Sequence, residues 1–276
     1  MRDMVAVVFD FDDTLAPDST SGFLATLGLD VGAFWDRANR RIQEEGWDPI
    51  PVYLYQMLEE SSRSADTLIT RDKLAEWGSR LPLHSGVSTL FNRLRKHVEE
   101  ADPDIGLEFY LVSSGIGEIL RATKIAKHFR DIWACDFEYG EKGEILFPKN
   151  VVSFTEKTRF LFNISKGLIG EEARHYPDKV NRRVDPDAFR IPFQNMIYVG
   201  DGYTDIPCFT LVKRYKGKAI GVYDAANPNK WAKAFGFIED ERVNNLLPAE
   251  YGANSALENG LKMALSGMVR RIRGSE

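Results

Sequence analysis

The sequence predicts an α/β protein in which a doubly wound, mostly parallel sheet is flanked by helices and interrupted by an inserted helical unit. Two short apolar stretches, residues 5–9 and 196–199, are rich in Val, Ile and aromatic residues, which is typical of strands buried on both faces. Both stretches run directly into acidic residues. A long helical segment, residues 22–81, follows the first strand. Open α/β sheets bind ligands outside the carboxyl ends of their strands, so these acidic ends mark a candidate site.

Composition and charge narrow the class of protein. The 276 residues, 43% hydrophobic and 28% charged, can bury a core large enough for one domain with an insertion or for two domains. The net charge of −5 shows no overall bias toward nucleic acid, and no apolar run approaches the roughly 20 residues that span a bilayer. Two cysteines, Cys135 and Cys208, suit a reducing compartment. Without a signal-peptide pattern, we expect a soluble cytoplasmic protein that binds neither nucleic acid nor membranes; its oligomeric state stays open.

The segment after the first strand changes from turn chemistry to helical periodicity. Residues 16–22 combine Pro, Asp, Ser, Thr and Gly, which indicates a loop leaving the sheet. Apolar residues then recur three and four apart over residues 34–42, and residues 52–58 form a denser apolar stretch. Thr70 predicts the N-cap of one more helix. A helical block of this kind between two strands of one sheet is an inserted unit.

The sheet resumes after residue 82 with alternating helices and strands. A helix over residues 87–98 leads to a strand over residues 107–112, which makes a right-handed crossover. Residues 132–139 and 143–147 enclose a Gly-Glu-Lys-Gly turn and predict a hairpin.

Helix and strand signals also mark the last part of the chain. Thr155 predicts a helix N-terminus, whereas residues 171–192 are polar and weakly periodic. Pro207 suits the first turn of the next helix. Residues 218–223 predict the last clear strand, and the Ser255-Ala-Leu-Glu258 capping box begins a terminal helix.

Three carboxylates, Asp10, Asp12 and Asp13, lie within four residues at the end of the first strand. Carboxylates this close repel one another unless a cation lies among them, and hard oxygen ligands favour Mg²⁺. The alternative is an acidic turn that caps the following segment. This stretch alone does not separate the two interpretations.

Further motifs follow in a fixed order along the chain. They are Asp10-Phe-Asp12-Asp-Thr14, the strand-ending Ser113, the isolated Lys157, and Gly200-Asp201-Gly202-Tyr-Thr-Asp205. Each motif alone is weak evidence. In this order they resemble the four motifs of the haloacid dehalogenase-like (HAD) phosphohydrolases, and together they span nearly the whole chain. The resemblance implies a Rossmann-like core of residues 1–21 and 82–276, with a helical cap domain of residues 22–81.

The first motif carries the residue types that phosphoryl transfer requires. Asp10, the first carboxylate after the strand, can attack phosphorus and form an aspartyl-phosphate. Asp12 can protonate the leaving group and then activate water. The resemblance assigns the same roles and adds the Asp12 carbonyl oxygen as a metal ligand. We expect Asp13 to be structural or solvent-facing and Thr14 to fix the loop by hydrogen bonding.

The last motif predicts a third metal ligand. Asp201 comes from a different strand, and Mg²⁺ needs few protein carboxylates because it keeps several waters. Asp205 either binds the ion or holds its surroundings, and we favour the second role. Gly200 and Gly202 allow close backbone approach, although an ordinary turn would also use them.

Phosphate binding and charge compensation are assigned to the middle motifs. Ser113 and the amides of Ser114 and Asp12 are candidates for binding phosphate oxygens, the alternative for Ser113 being a bond to a local carbonyl. Lys157 would offset the negative charge of the nucleophile and the phosphate. Lys166 competes for that role, but Lys157 lies in the first turn of its predicted helix.

These residues predict Mg²⁺-dependent hydrolysis of a small phosphorylated metabolite through an aspartyl-phosphate. A phosphotransferase or a non-catalytic phosphate-binding module on the same fold is the alternative. The evidence for a dinucleotide-binding turn at Gly115-Ile-Gly117 is weak, because Leu120 replaces the third glycine. A haloacid dehalogenase proper is disfavoured because Asp12 is not expected there.

The predicted cap bears on the substrate. The helical cap and the Ser113-Ser-Gly115 motif look most like the phosphoserine phosphatase-like branch of the HAD proteins. Serine-specific members of that branch carry a glutamate after the first motif, whereas residues 18–29 contain none and Ser19 lies about where it would fall. Phosphoserine is therefore not assigned as the substrate.

Arginines of the predicted cap are candidate anchors for a second anionic group, because guanidinium suits carboxylate or phosphate. They are Arg37, Arg40, Arg41 and Arg63. The alternative, which we favour for each one singly, is ion pairing with Glu44, Glu45, Glu59 or Glu60. We expect substrate selection to lie in residues 34–63, with residues 171–192 as the other possibility.

Overall fold

The computed structural model describes residues 3–274, apart from the side chains of residues 172, 186, 228–230, 232 and 233. One sheet takes in the seven strands of this range, in the order β4-β3-β2-β1-β5-β6-β7. The strands are β1 (Met4–Phe9), β2 (Gly106–Ile116), β3 (Asp131–Tyr139), β4 (Ile145–Asn150), β5 (Met196–Gly200), β6 (Lys218–Tyr223) and β7 (Asn245–Pro248). All neighbours pair in parallel except β3 and β4. The predicted α/β class and mostly parallel sheet are confirmed.

Helices cover the sheet and form the segment between β1 and β2. They are α1 (Ser19–Thr26), α2 (Val31–Glu45), α3 (Pro49–Arg63), α4 (Arg71–Arg80), α5 (Val87–Ala101), α6 (Gly117–Ala122), α7 (Glu156–Lys166), α8 (Glu171–His175), α9 (Ile206–Arg214), α10 (Pro228–Glu239) and α11 (Ala256–Ile272). None of these helices within residues 3–274 is long and apolar enough to cross a bilayer.

Strand β1 lies at the centre of the sheet and positions the site. Residues 5–9 are fully buried, as their apolar sequence predicts. Phe9 lies opposite Leu111 of β2 on one side and Val199 of β5 on the other, so the carboxyl ends of all three strands meet at one edge. Strands β2, β3 and β4 extend the sheet on one side of β1. The chain then returns, and β5 pairs with β1 on its other side. The crevice therefore lies at a topological switch point, where α/β sheets bind ligands.

The inserted segment is helical, as predicted, but its first helix begins earlier than residue 22. Asp18 is the N-cap of α1, and its carboxylate accepts hydrogen bonds from the Ser21 amide at 2.9 Å and the Ser21 hydroxyl at 2.5 Å. This cap starts the helix at Ser19, within the sequence that reads as a loop. Thr70 caps α4 as predicted, since its hydroxyl accepts from the Lys73 amide at 3.3 Å.

Two other predicted helices begin directly after Thr155 and Ser255, as expected, but their capping hydrogen bonds differ from the prediction. Thr155 has a helical conformation (φ −78°, ψ −26°), and its side chain makes no capping hydrogen bond. The Ser255 hydroxyl accepts from the Glu258 amide at 3.2 Å, which is half of the predicted capping box. The Glu258 carboxylate does not return to Ser255 but accepts from the Asn254 amide at 2.6 Å and from Arg93 Nε at 2.5 Å. The ion pair with α5 therefore replaces the second half of the box.

The predicted hairpin is present at one side of the sheet. β3 and β4 pair antiparallel around the turn from Gly140 to Gly143, whose ends are joined by a 3.0 Å hydrogen bond. β7 and α10 were not predicted. β7 has only four residues, too few for an alternating pattern to be recognised.

Candidate active site

The ends of β1 and β5 bring three carboxylates together. Asp10 follows β1, and its amide donates to the Val199 carbonyl of β5 at 2.9 Å. Asp201 and Asp205 follow β5. Each of the three acids places a carboxylate oxygen within 4.8 Å of an oxygen of the other two. Because Asp10 and Asp205 are buried, this cluster concentrates negative charge where water is scarce. It is a candidate metal site.

Lys157 supplies the positive charge within this cluster. Its Nζ lies 3.0 Å from Asp10 Oδ2 and 2.7 Å from Asp205 Oδ1, and it donates to Thr204 Oγ1 at 3.0 Å. The side chain is completely buried. Lys166, the competing lysine, instead donates to the carbonyls of Val180 and Arg182. Of the two candidates, only Lys157 lies at the acids.

Protein donors occupy both carboxylate oxygens of Asp205. Its Oδ1 accepts from Lys157 Nζ and, at 2.7 Å, from the Tyr198 hydroxyl; its Oδ2 accepts from the Gly202 amide at 3.1 Å. A Cβ at Gly200 would lie 2.4 Å from Asp205 Oδ2, so glycine is required there. Asp205 therefore holds the lysine and the turn in place. Gly202 contributes an N–H donor rather than a close backbone approach.

Asp12 lies on the turn after β1, beside the start of α1. Its Oδ1 accepts from the Ser19 amide at 2.7 Å. A Cβ at Gly115 would lie only 2.6 Å from its Oδ2, so the end of β2 must approach the Asp12 carboxylate closely. Asp13 is half-buried with a left-handed φ of 56°, which an aspartate tolerates better than most residues.

The loop after β1 is held by a hydrogen bond at Thr14. The Thr14 carbonyl accepts from the Tyr251 hydroxyl at 2.6 Å. The Thr14 hydroxyl itself is buried and has no hydrogen-bond partner among the described residues. Hydrogen bonding at Thr14 therefore holds the loop, as expected, and its backbone carbonyl rather than its hydroxyl makes the bond.

Ser113 and Ser114 lie at the end of β2 facing the same crevice. The Ser113 hydroxyl oxygen is buried and accepts from the Gly115 amide at 3.0 Å. It donates to no carbonyl among the residues described, contrary to the alternative interpretation of this serine. The Ser114 carbonyl accepts from the Tyr53 hydroxyl at 2.5 Å and from Cys135 Sγ at 3.3 Å.

A cleft of about 550 Å³ opens above these groups. Its floor includes Asp10, Asp12, Ser113 and Asp201. Its other side is formed by the helical insertion, and the residues that line it there include Asp18, Thr20, Trp35, Asn39, Ile42, Ile50 and Tyr53. The cleft therefore joins the acidic motifs to the inserted segment.

All four motifs meet at one edge of the sheet. A family model also covers the sequence that contains them. The family model described as "Putative Phosphatase" matches residues 5–219, which contain all four motifs. The chain belongs to this phosphatase family.

Other comparisons agree with the architecture. The phosphatase is 27% identical over 294 residues to a protein of Borreliella burgdorferi described as uncharacterized, covering 96% of this chain and 98% of that one. A HAD-family hydrolase from Salmonella enterica serovar Typhi has a TM-score of 0.60 at 14% identity, covering 94% and 70% of the two chains. A phosphoserine phosphatase solved as a phospho-aspartyl intermediate analogue has a TM-score of 0.54 at 16% identity, covering 95% and 99%. The phosphatase thus has the HAD fold, as the resemblance of its four motifs predicted.

The arginines of the insertion lie away from the cleft of the phosphatase. Arg37 and Arg63 both pair with the buried Glu60, and Arg41 pairs with Glu59 at 2.8 Å. Arg40 is exposed. None of the four lines the cleft. The ion-pairing alternative therefore holds for Arg37, Arg41 and Arg63, with Glu59 and Glu60 as the partners.

The residues of 171–192 whose side chains are described also lie away from the cleft. Ala173, Arg174 and His175 instead line a separate cavity of about 520 Å³ beneath β3 and α7. This cavity contains none of the clustered acids. Of the two segments considered for substrate selection, only residues 34–63 border the acidic cleft among the residues described.

The electrostatics of the cluster are set by burial and by the neighbouring charges. Burial and the Asp205 charge raise the pKa of Asp10 to about 7, although Lys157 acts in the opposite direction. Burial disfavours the charged form of Lys157, but Asp10 and Asp205 outweigh it and raise the pKa of the lysine. Burial, followed by the nearby Asp18, raises the pKa of Asp12 to about 8.

Three residues at the site were not found by sequence reasoning. Tyr198 lies inside β5 and holds Asp205, Tyr53 comes from α3, and Thr204 accepts from Lys157. Tyr198 and Tyr53 resemble ordinary core residues in the sequence. Thr204 lies within the last motif, between the glycine and the acid, and its position there was the only available signal.

Proposed function

We propose that this phosphatase hydrolyses small phosphomonoesters in a Mg²⁺-dependent reaction, through an aspartyl-phosphate on Asp10. The observation that carries the proposal is the position of Asp10, beside Lys157 and on the floor of the cleft with Ser113 and Asp201. A nucleophile, a compensating cation and a phosphate-binding hydroxyl then border one space. The structural relative solved as a phospho-aspartyl intermediate analogue supports the same chemistry.

The first half of the reaction forms the aspartyl-phosphate. The Phe11 amide donates to Asp10 Oδ1 at 2.7 Å and orients the carboxylate. An Asp10 oxygen attacks phosphorus, the bond from phosphorus to the ester oxygen breaks, and Asp12 gives its proton to that oxygen. Lys157 offsets the charge of the carboxylate and of the phosphoryl oxygens.

The second half releases phosphate. Asp12, now deprotonated, takes a proton from a water that attacks phosphorus, and the bond from phosphorus to Asp10 breaks. Inorganic phosphate leaves, and both aspartates return to their initial states. Ser113 and the amides of Ser114 and Asp12 are proposed to bind the phosphoryl oxygens throughout.

The acidic cluster fits Mg²⁺ by the chemistry of its donors. Asp10 and Asp201 offer carboxylate oxygens to the cleft, and the Asp12 carbonyl is the third proposed ligand. Asp205 is proposed to orient the site, because Lys157, Tyr198 and Gly202 already occupy its two oxygens. Burial, followed by the Asp205 charge, raises the pKa of Asp10, so a cation beside it would favour the charged carboxylate. The ion would be that cation and would stabilise negative charge on the phosphoryl oxygens.

Turnover of a generic phosphate ester with and without Mg²⁺ tests the proposed function. We expect hydrolysis that chelation abolishes and added Mg²⁺ restores. Release of phosphorylated acceptor instead of inorganic phosphate would identify a phosphotransferase. Binding of phosphate without turnover of any ester would identify a non-catalytic module. A screen of phosphorylated metabolites would then rank the substrates.

Asp18→Asn is expected to move the alkaline limb of the pH profile to lower pH. With its pKa raised to about 8, Asp12 is protonated at neutral pH, and acid catalysis is lost as the pH rises through that value. Removing the Asp18 charge lowers this pKa, so the loss begins earlier. Asparagine keeps the N-cap of α1, which protects the fold. The rate of leaving-group release in rapid mixing, measured against pH, checks this.

Asp30→Asn is the matched control for this experiment. Asp30 caps α2 in the same way, with its carboxylate accepting from the Ala33 amide at 3.0 Å, but it does not line the cleft. Its pH profile should equal that of the wild type. If Asp18→Asn also leaves the alkaline limb in place, Asp12 is not the acid responsible for it.

Leaving-group selectivity is expected to depend on the cleft-facing side of α2. Asn39 and Ile42 line the cleft, whereas Arg41 lies on another face of the same helix. Replacing Ile42 by Ala should raise KM for the best metabolite about fivefold, the effect of roughly 1 kcal/mol of lost apolar contact. Asn39→Ala should act in the same direction, and a small generic ester should be spared by both. Arg41→Ala is the control, and a selective effect of Arg41→Ala alone would contradict the assignment.

The charge of the cleft also favours some leaving groups over others. Five aspartates are among its lining residues, and no Lys or Arg is among them in the described part of the chain. Asp10 and Asp201 are proposed to bind the ion and Asp12 to carry a proton. This leaves Asp13 and Asp18 to repel a second anionic group on the substrate. We propose that the leaving group is neutral or cationic.

A further inference from the structure

We propose that Tyr53 is a positioning residue, which orients the Ser113 hydroxyl for phosphate binding through the peptide group between Ser114 and Gly115. The inference rests on the proposed function, because it assigns Ser113 to a phosphoryl oxygen. Tyr53 belongs to α3 of the helical insertion, and its hydroxyl reaches the end of β2. A side chain of the insertion thereby contacts the end of β2 that carries Ser113.

Two donors converge on the Ser114 carbonyl oxygen. The Tyr53 hydroxyl donates at 2.5 Å, and Cys135 Sγ of β3 donates at 3.3 Å. The regular pairing of β2 with β3 is interrupted between Val112 and Ile116, so the sheet ladder does not hold this carbonyl. The tyrosine and the cysteine replace the missing ladder contacts. They fix the direction of the carbonyl from the insertion and from the sheet.

Fixing this carbonyl also fixes the amide on the other side of the same peptide bond. The peptide group is planar, so the direction of the Ser114 carbonyl determines that of the Gly115 N–H. The Gly115 N–H donates to Ser113 Oγ at 3.0 Å. When the Ser114 carbonyl accepts a hydrogen bond, the Gly115 N–H of the same peptide group becomes a better donor, because hydrogen bonds in a chain polarise one another.

The last step of this chain sets the direction of the Ser113 proton. Since Ser113 Oγ accepts from Gly115, its own hydrogen is free to be donated elsewhere. Ser113 lines the acidic cleft and has no carbonyl acceptor among the residues described. The hydroxyl is thus prepared to donate to a phosphoryl oxygen. The chain of donors runs from Tyr53 through the peptide to Ser113 and then to phosphate.

Tyr53→Phe tests the proposal because it removes the hydroxyl and keeps the ring, which packs against Trp35 with 5.8 Å between ring centroids. We expect the dissociation constant for inorganic phosphate with Mg²⁺, measured by calorimetry, to rise about three- to tenfold, the range for one lost hydrogen bond. The kcat/KM values of two esters with different leaving groups should fall by the same factor. Tyr55→Phe is the matched control: Tyr55 is on the same helix, 41% exposed and stacked on Trp47, and its variant should equal the wild type.

A double-mutant cycle shows whether Tyr53 acts through Ser113. Ser113→Ala should weaken phosphate binding more than Tyr53→Phe does, and adding Tyr53→Phe to it should cause no further loss. A full additional loss in that background would overturn the proposal. So would an effect of Tyr53→Phe confined to one of the two esters, because a direct contact with the leaving group would then explain it.

Cys135→Ala provides a second variant if Tyr53→Phe does not fold. It removes the other donor to the Ser114 carbonyl and should weaken phosphate binding in the same direction by a smaller factor. Unchanged phosphate binding in whichever variant folds would overturn the proposal. If the wild type hydrolyses esters, such a result rejects the role of Tyr53 alone. If the wild type hydrolyses no ester, it is the proposed function that fails.

Discussion

Asp10→Asn is expected to abolish turnover and leave the fold intact. An amide cannot serve as the nucleophile, so the covalent step is lost and the rate should fall by several powers of ten. The fold should survive, because asparagine keeps an oxygen that can accept from the Phe11 amide, and Lys157 keeps Asp205 at 2.7 Å. Rapid quenching with phosphate-labelled substrate should find an acid-stable acyl-phosphate on the wild type only.

Asp13→Asn is the control for the nucleophile experiment. Asp13 lies on the same turn, and asparagine tolerates its left-handed φ of 56°. This variant should keep most of the turnover and should still become labelled. Label recovered on a serine or histidine of the wild type would overturn the covalent mechanism.

Asp201→Asn is expected to lower the affinity for Mg²⁺, whereas Asp205→Asn is expected to lower the free energy of unfolding. Asp201 lines the cleft. Asp201→Asn should therefore lose most of the affinity for Mg²⁺, with little change in the free energy of unfolding. Asp205 is fully buried against Lys157, so its variant leaves a buried lysine with Asp10 as its remaining carboxylate. Breaking one such contact should lower the free energy of unfolding by up to about 3 kcal/mol.

Calorimetric Mg²⁺ titration and denaturant unfolding of both variants separate these effects. The wild type provides the reference for each measurement, and Asp13→Asn provides a neighbouring carboxylate whose loss should change neither strongly. If Asp205→Asn weakened Mg²⁺ binding more than Asp201→Asn, the proposed ligand assignment would be reversed.

Local sequence determined the elements whose signals lie within a few residues. The buried strand before Asp10 and the hairpin turn from Gly140 to Gly143 follow from patterns that neighbouring residues complete. The Thr70 cap is of the same kind. Thr155 precedes the first residue of α7 as predicted, but its side chain makes no cap because its backbone is helical, whereas a capping residue has a non-helical backbone. The order of the four motifs also predicted that their acids would meet, since parallel strands align their carboxyl ends.

The tertiary structure alone decided which side chains face the site. The sequence favoured Lys157 over Lys166 from its place in the first turn of α7, but the packing of α7 against α9 and β2 is what brings its Nζ to within 3.0 Å of Asp10. Helix α2 carries both Asn39 and Arg41, and its rotation about its own axis directs the first to the cleft and the second to Glu59. Tyr53 reaches a carbonyl 61 positions further along the chain. Such contacts depend on the relative placement of whole elements, which follows from packing of the core and has no counterpart in local residue patterns.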